Sequence, residues 1–259
     1  MENPLNYFDK TFVISAKDNQ ERREYAKRVL SELNIEFEFF DAIIGNDLSD
    51  EELEAVYDEE RAKQHKTYKR RLSKPEIGCT LSHMAIYQKI IDQDLDHALI
   101  FEDDLDPVFD DLSVVEQAIK ELPENWDMLY LGTMNHDAKA SFSYKMKLLF
   151  YYPLIKTFFP SKIDYDYKHL WNIYPRNYSK TLKRAGHHQG LHAYAMSQRG
   201  AKKFLDYHDK IVTAPDYMPS VMIMEEKLEA FLIKPLIFGQ NKDLESALEA
   251  ARLEIRKEL

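Results

Sequence analysis

The stretch Ala98–Leu105, with the sequence ALIFEDDL, constrains the fold most, because four apolar residues run directly into three acids. Such an apolar run indicates a buried strand. In open α/β sheets, ligands bind beyond the carboxyl ends of the strands, and Glu102, Asp103 and Asp104 follow the strand at that position. Period-two alternation predicts that Glu102 and Asp104 project to one side and Asp103 to the other. The alternative is a solvated turn or helix cap, which the nearby Asp106-Pro107 favours.

Neighbouring carboxylates of this kind point to a cation. Crowded carboxylates repel and raise one another's pKa unless a positive charge neutralises them. Mg²⁺ and Mn²⁺ prefer oxygen ligands and commonly bind one or two carboxylates together with substrate phosphates. The acid-x-acid pair of Glu102 and Asp104 is therefore a candidate divalent-metal site.

The segments before this stretch alternate between strand and helix patterns. Thr11–Ser15 and Glu36–Phe40 are rich in β-formers, and Asn19–Leu33 between them has helical spacing. Ser73–Glu76 is a capping-box sequence with proline in the first turn, and it predicts a helix that leads to ALIF. We predict an α/β fold with a central, mostly parallel sheet flanked by helices, in a single domain over residues 1–259.

Two segments depart from this alternation. Residues 132–186 lack a regular period and are predicted to be an irregular aromatic and basic insert. Its core, Tyr144–Lys162, is open to three interpretations: a flap over the substrates, a surface that contacts a lipid-linked acceptor at a membrane, or a loosely packed hairpin. Residues 241–259 predict a charged C-terminal helix.

Composition excludes several classes of protein. The net charge of -10 argues against a general nucleic-acid binder, since phosphate contacts need a basic surface. Cys79 is the single cysteine, which excludes an intramolecular disulfide and is typical of a reducing compartment. The N-terminus has no signal-peptide pattern, and no apolar run approaches the roughly 20 residues that span a bilayer. We therefore expect a cytoplasmic protein.

The residues around ALIFEDDL resemble glycosyltransferase family 25, which includes bacterial lipopolysaccharide and lipooligosaccharide sugar transferases and animal collagen galactosyltransferases. The resemblance rests on Glu76–Cys79 (EIGC), Leu81–His83 (LSH) and Glu102–Asp104 (EDD) in that order, with further similarity in Leu191–Leu205 and Ala214–Met222. It implies a GT-A type, Rossmann-like fold that binds a nucleotide-sugar donor, and an inverting mechanism.

By this resemblance, the chain transfers a hexose, with galactose as the leading sugar, from a UDP-sugar to a lipooligosaccharide or lipopolysaccharide acceptor. That acceptor is lipid-linked, so peripheral contact with the inner membrane is expected. Mn²⁺ or Mg²⁺ is the implied cofactor, because a metal that bridges both phosphates stabilises the departing diphosphate without protonating it. Two alternatives remain open: a non-catalytic family member that binds a glycan or partner, and a metal-dependent nucleotide-sugar hydrolase.

The resemblance also implies roles for the acidic residues. Asp104 is the first-choice metal ligand and Glu102 the second, while Asp103 faces the ribose or an adjacent helix. Inversion needs a base that takes the proton of the acceptor hydroxyl, and Asp216 matches the family's aspartate in its segment. Capping of the following helix is the alternative for Asp216. Three histidines just upstream could bind metal or donor phosphate and receive no assignment: His187, His188 and His192.

Three residues of the predicted capped helix are candidates for the donor pocket. Gly78 costs the helix about 1 kcal/mol relative to alanine, so close approach of another backbone or of the donor must compensate. Ser82 and His83 match the family's Ser-His pair, with helix packing as the alternative. Cys79 lies four residues before His83, but two ligands do not make a zinc site.

The amino-terminal candidates follow the first strand. Ser15 ends that strand, where nucleotide sites in such sheets begin. Arg22 and Arg23 match the family's arginine pair and suit a diphosphate, although one of the two is expected to be only a solvated helix charge. Asp41 matches the family's Asp-Ala element and is a candidate acceptor for uracil or ribose. Here Ser15-Ala16 replaces the family's usual Asn-Leu, which weakens the assignment of the uridine contacts.

Overall fold

The computed structural model describes residues 3–65, 68–109, 111–135, 137–159 and 165–244. The apolar runs form strands and the segments between them form helices. Within the described residues the strands are β1 (Lys10–Ser15), β2 (Glu38–Asp41), β3 (His97–Glu102), β4 (Leu105–Pro107), β5 (Met128–Met134), β6 (Arg176–Asn177), β7 (Leu182–Arg184), β8 (Gln189–Ser197), β9 (Ala230–Ile233) and β10 (Phe238–Gln240). The helices are α1 (Gln20–Glu32), α2 (Asp50–Val56), α3 (Glu59–Gln64), α4 (Lys74–Asp92), α5 (Ser113–Glu121), α6 (Phe142–Met146), α7 (Tyr152–Phe158), α8 (Tyr167–Trp171), α9 (Gln198–Tyr207) and α10 (Tyr217–Met224).

Eight strands form one mixed sheet in the order β2-β1-β3-β8-β5-β9-β7-β6. Six of these strands point the same way, whereas β8 and β7 run in the opposite direction. Because β8 is antiparallel to β3, its first residues lie at the edge where β1, β2 and β3 end. The predicted α/β class, with a mostly parallel sheet flanked by helices, is confirmed.

The sheet is also the centre of the hydrophobic core. Phe12 on β1, Leu99 and Phe101 on β3, and Tyr194 on β8 are fully buried. Burial of each such side chain contributes about 1.5–3 kcal/mol relative to exposure, which makes these central strands a rigid support for their ends. The short strands β4 and β10 pair antiparallel outside the main sheet and bring Gln240 back towards the end of β3.

Helix α4 begins as the capping box predicts. The Ser73 hydroxyl accepts a hydrogen bond from the Glu76 N–H at 3.3 Å, and the Glu76 carboxylate accepts one from the Ser73 N–H at 2.9 Å. Arg70 also donates to Glu76 at 2.7 Å, which compensates the burial of that carboxylate. The first turn of α4 is therefore fixed, and with it the direction in which the rest of the helix reaches the sheet.

The insert predicted to be irregular instead contains regular structure in its described part. Helices α6 and α7 are joined by a π-helical turn over Lys147–Tyr151, and α8, β6 and β7 follow. The Tyr144 hydroxyl donates to the Leu170 carbonyl at 2.7 Å, which ties α6 to α8. The sequence pattern does not predict these helices because many of their apolar side chains face outward and so lack the spacing of a buried helix face.

The predicted helix at residues 241–259 lies mostly outside the described residues, of which 241–244 form a turn. Across the described ranges, every helix is too short or too polar to span a lipid bilayer.

Candidate active site at the carboxyl edge of the sheet

The structure brings most of the predicted site residues to the edge where β1, β2 and β3 end. Glu102 is the last residue of β3, Asp103 and Asp104 follow in a turn, and Ser15 ends the neighbouring β1. Asp103 is 8% exposed and Asp104 is 6% exposed. The alternative of a solvated turn is therefore wrong. We call Glu102, Asp103 and Asp104 the acidic edge.

Arg22 of α1 is the cation that holds the acidic edge together. Its Nε lies 2.8 Å from Asp103 Oδ1, and its Nη2 lies 2.6 Å from Asp104 Oδ2. The Ser15 hydroxyl donates to Asp103 Oδ2 at 2.6 Å. Asp103 thus faces the adjacent helix, as one of its two predicted roles required.

Two consecutive acids of the acidic edge share Arg22, which strict alternation of side chains does not predict. Regular β3 ends at Glu102, so the period-two rule no longer applies to the turn that follows. Asp103 and Asp104 consequently both turn towards Arg22, while Glu102 turns towards α4.

Burial makes Asp104 an unusual acid. Loss of water, reinforced by the neighbouring Glu102 and Asp103 and opposed by Arg22, raises the pKa of Asp104 to about 7. The Gln240 side chain donates to the Asp104 carboxylate at 3.3 Å. The Asp104 backbone carbonyl accepts from the Asn241 N–H at 2.7 Å. Burial also raises the pKa of Asp103, despite the opposing effects of Arg22 and Ser15.

Glu102 lies beside two histidines. Its Oε1 is 3.4 Å from His83 Nε2, and its side chain is 20% exposed. Burial opposes ionisation of Glu102, but His83, His192 and Arg22 together outweigh it and hold the pKa of this carboxyl below its usual range. Glu102 is therefore the acid of this edge that is most readily charged at neutral pH.

Neither Arg22 nor Arg23 is a solvated charge, which corrects the expectation for one of them. Arg23 donates to the Ser15 carbonyl and the Ala16 carbonyl, each at 3.1 Å, and forms an ion pair with Asp41. This hydrogen bond lowers the pKa of the more exposed Asp41 carboxyl. Arg23 thus fixes the ends of β1 and β2, whereas Arg22 pairs with the acidic edge.

Packing accounts for two of the predicted donor contacts on α4. A Cβ atom on Gly78 would lie 2.4 Å from the Ile43 carbonyl oxygen and 2.5 Å from the Gly45 nitrogen, so close approach of another backbone requires glycine there. The Ser82 hydroxyl donates to the Gly78 carbonyl and accepts from the Ile43 N–H, both at 2.8 Å. Both residues hold α4 against the loop after β2.

Asp216 does not cap the helix that follows it, although it occupies the N-cap position of α10. Its Oδ2 instead accepts a hydrogen bond from the Gly190 N–H at 3.1 Å. His187, whose pKa is lowered by burial, also interacts with this carboxylate electrostatically. The carboxylate is therefore oriented towards the start of β8 and not along its own helix.

His192 lies near both Gly190 and Glu102, and the sequence leaves it as an unassigned candidate for binding metal or donor phosphate. A Cβ on Gly190 would lie 3.1 Å from His192 Nδ1, and the Gly190 N–H is the group that binds Asp216. Burial lowers the pKa of His192, opposed by electrostatic interaction with Glu102. A polar side chain at the start of an apolar strand is the sequence signal that indicates this residue, just as the acids at the end of the strand in ALIFEDD indicate the acidic edge.

Among the described residues, one group of three candidate metal ligands comes together. The ligand atoms of Cys79, His83 and Glu102 all lie within 4.8 Å of one another. Asp104, the first-choice metal ligand, is not part of this group and lies against Arg22 instead.

Comparison with known proteins gives this geometry a family context. A sequence model described as glycosyltransferase family 25 (LPS biosynthesis protein) matches residues 8–219. Procollagen galactosyltransferase 1-A of Xenopus laevis is 35% identical over 133 residues, covering 48% of this chain and 21% of that protein. "Probable inactive glycosyltransferase 25 family member 3" of Bos taurus is 31% identical over 129 residues, covering 48% of this chain and 22% of that protein. The chain thus spans about a fifth of the length of these two relatives.

The solved structure of mouse xyloside xylosyltransferase 1 in its apo form is a more distant similarity. It has 12% sequence identity and a TM-score of 0.34, covering 84% of this chain and 69% of that one.

Proposed function

The chain belongs to glycosyltransferase family 25, and on that premise we propose that it transfers a hexose from a UDP-sugar to a hydroxyl group of a lipooligosaccharide or lipopolysaccharide acceptor, with inversion at the anomeric carbon. Galactose is the leading sugar, because the relative matched in Xenopus laevis is named as a galactosyltransferase. The observation that carries the proposal is the burial of Asp103 and Asp104 beside one guanidinium at the carboxyl edge of the sheet.

The acidic edge fits a hard divalent cation. Asp103 and Asp104 share the single guanidinium of Arg22, and Glu102 lies beside them against His83, so three carboxyl groups meet in a site that is largely shielded from water. Burial first, and then the neighbouring Glu102 and Asp103, raise the pKa of Asp104. Asp104 and Glu102 are the residues that would hold Mn²⁺ or Mg²⁺, which would neutralise charge on the departing diphosphate when bound.

Asp216 is the base in this proposal. As the acceptor oxygen forms its bond to the anomeric carbon, the bond from that carbon to the diphosphate oxygen breaks and its electron pair leaves with UDP. The acceptor proton passes to the Asp216 carboxylate. The hydrogen bond from the Gly190 N–H holds Oδ2, and it orients the carboxylate for this transfer.

A lipid-linked acceptor gives a reason for the surface of residues 142–159, which we call the apolar segment. Among the described residues, seven of the eight large apolar side chains that are more than half exposed lie in it: Phe142, Leu149, Phe150, Tyr151, Leu154, Phe158 and Phe159. A patch of this kind on a soluble protein marks a surface that contacts another apolar phase.

Charge favours a membrane as that phase. The apolar segment contains Lys145, Lys147 and Lys156 and no acid. Exposed aromatic side chains together with lysines are typical of helices that lie in the interface of an anionic bilayer. Helix α8 links this surface to α10, since the Asn172 side chain donates to the Met224 carbonyl at 3.3 Å. We therefore propose that the protein binds the inner face of the cytoplasmic membrane through the apolar segment.

A donor screen tests the proposal. UDP release is measured for a panel of UDP-sugars with and without Mn²⁺ and with a truncated lipooligosaccharide acceptor. We expect one UDP-sugar to give release that depends on both metal and acceptor, and to raise the melting temperature. Asp106→Asn is the matched control, because it removes an acid two residues beyond Asp104 that lies outside the Arg22 pair.

Two outcomes would replace the proposal. Binding of UDP without turnover of any donor would favour a non-catalytic member, a role that the name of the Bos taurus relative also suggests for that protein. Release of free sugar at a rate that acceptor does not change would favour a hydrolase.

A further inference from the structure

Helix α4 and strand β3 together assemble a set of metal ligands that is chemically different from the acidic edge. Cys79 and His83 are one turn apart on α4, so their side chains share a helix face. Glu102 at the end of β3 supplies the third ligand, and the sulfur, nitrogen and oxygen atoms lie within 4.8 Å of one another. The sequence offered only the first two of these ligands, which were too few for a site.

The histidine of this set is held as metal-binding histidines are held. His83 is 2% exposed, and its Nδ1 lies 2.8 Å from the Tyr194 hydroxyl. That hydroxyl is in turn 2.8 Å from the hydroxyl of Tyr87. A partner on one ring nitrogen fixes the tautomer and orientation of the ring and leaves the other nitrogen for the metal.

The other ring nitrogen, Nε2, faces the Glu102 carboxylate. His83 Nε2 lies 3.4 Å from Glu102 Oε1, which is longer than a good hydrogen bond of about 2.7–3.2 Å. When Nδ1 donates its proton to Tyr194, Nε2 presents a lone pair to the Glu102 carboxylate. In that tautomer a cation between the two atoms removes their repulsion, whereas in the other tautomer the Nε2 proton faces Glu102 and is the group that a metal ion replaces.

We propose that Cys79, His83 and Glu102 bind one borderline-soft divalent cation of the Zn²⁺ class. Thiolate, imidazole and carboxylate are the three ligand types that zinc takes, and three protein ligands leave a fourth position for water or substrate. Binding displaces the proton of the Cys79 thiol. Mg²⁺ and Mn²⁺ prefer the all-oxygen acidic edge, so the two sites differ in metal preference.

Sharing of Glu102 gives the site a consequence for activity. A cation that takes Glu102 towards Cys79 and His83 removes it from the pair it forms with Asp104. Zn²⁺ therefore inhibits transfer, and excess Mn²⁺ relieves the inhibition. This consequence rests on the proposed function, whereas zinc binding does not.

The binding test uses the whole chain and needs no substrate. Zn²⁺ is titrated against a chromophoric chelator, and Co²⁺ is added separately to record the thiolate-to-cobalt absorption band. We expect one Zn²⁺ per chain and a thiolate band, with Cys79→Ser and His83→Gln each weakening Zn²⁺ binding by about tenfold or more. Tyr194→Phe leaves the three ligands in place and is expected to weaken binding about 10–100-fold, because only the orientation of His83 is lost.

His97→Gln is the matched control. His97 Nδ1 lies 3.6 Å from Asp9, so this pair reproduces a histidine beside a carboxylate without a thiol. We expect no change in zinc affinity for this variant. Circular dichroism and melting temperature confirm that each variant is folded before its affinity is compared.

Three results would overturn the site. Binding that Cys79→Ser weakens but His83→Gln leaves unchanged would show a lone thiol. If every variant kept wild-type zinc affinity, any bound zinc would lie elsewhere. If Zn²⁺ did not bind, a proton between His83 and Glu102 would account for their contact. Stoichiometric zinc binding by a chain that turns over no UDP-sugar would uphold the site while the proposed function fails.

Discussion

The acidic edge and the apolar segment break the usual distribution of side chains in opposite directions. At the acidic edge Asp103 and Asp104 are buried, whereas in the apolar segment Phe142 is 79% exposed and Phe158 is 70% exposed. Burying a charged group is unfavourable unless another group compensates it, and exposing large apolar side chains to water is unfavourable too. Under the proposed function, the two regions correspond to two different partners: a small charged ligand at the sheet edge, and an extended apolar surface at the segment.

The largest expected effect comes from a residue that belongs to neither region. Asp216→Asn keeps the shape of the side chain but removes the base, so transfer should fall about 10²–10⁴-fold. Donor binding and vesicle binding should stay at wild-type levels, because neither region has changed. Steady-state UDP release and a donor melting-temperature shift measure this, with the exposed Asp206→Asn as control. Unchanged transfer would remove Asp216 as the base.

The second variant breaks the acidic edge alone. Asp104→Asn removes a negative charge from the pair that would hold the cation, so transfer should fall about 10²–10³-fold, in line with several kcal/mol of lost charge stabilisation. The Mn²⁺ dependence of the residual activity should weaken, and vesicle binding should not change. A titration of rate against Mn²⁺ checks this. A variant with wild-type metal dependence would show that the cation lies elsewhere.

The third variant breaks the apolar segment alone. Phe150→Ser combined with Phe158→Ser removes two exposed aromatic rings, and partition onto anionic vesicles should fall about 10–100-fold. Flotation with phosphatidylglycerol vesicles, compared with phosphatidylcholine vesicles, measures this. Val108→Ser, which removes an exposed apolar side chain outside the segment, should have no effect. Activity on a soluble truncated acceptor should be retained, and its loss would place the segment in the site.

The smallest expected effect sharpens the contrast through stability. The pKa of Asp104 is about 7 in the folded protein and about 3.9 in an unfolded chain, so the folded state binds more protons between these values. Its contribution to stability is therefore present below pH 4 and is lost as pH rises through 7. Asp104→Asn should raise the melting temperature at pH 8 by a few degrees, at about 2–4 °C per kcal/mol, and have little effect at pH 4. Thermal melts at both pH values check the sign.

The site could be predicted from the sequence where a local rule reached it. The end of a buried strand and a capping box are both local patterns, and they located the acidic edge and the start of α4 correctly. The division of roles among the acids was not local. Arg22 draws Asp103 and Asp104 to one side from a helix about 80 residues earlier in the chain, and no strand rule contains that contact.

The parts that the sequence missed depend on contacts between distant segments. His83 and Cys79 lacked a third ligand until the fold placed Glu102 beside them. The sequence pattern predicts irregular structure in the apolar segment because a helix whose apolar face is outward lacks the polar outer stripe that marks an ordinary surface helix. In both places the local sequence pattern does not contain the contact or the exposure that the fold produces.

Strand β8 has a consequence for how the protein forms. It lies between β3 and β5 in the sheet, yet ribosomes make it after both of them. Until residues 189–197 emerge, the facing edges of β3 and β5 have unpaired backbone groups, and such edges are prone to association with other chains. Strand β8 also places Gly190 next to Asp216 and His192 near Glu102, so these contacts form only after β8 has been made. Exposure of these two half-paired strand edges during synthesis is the consequence of this one antiparallel strand.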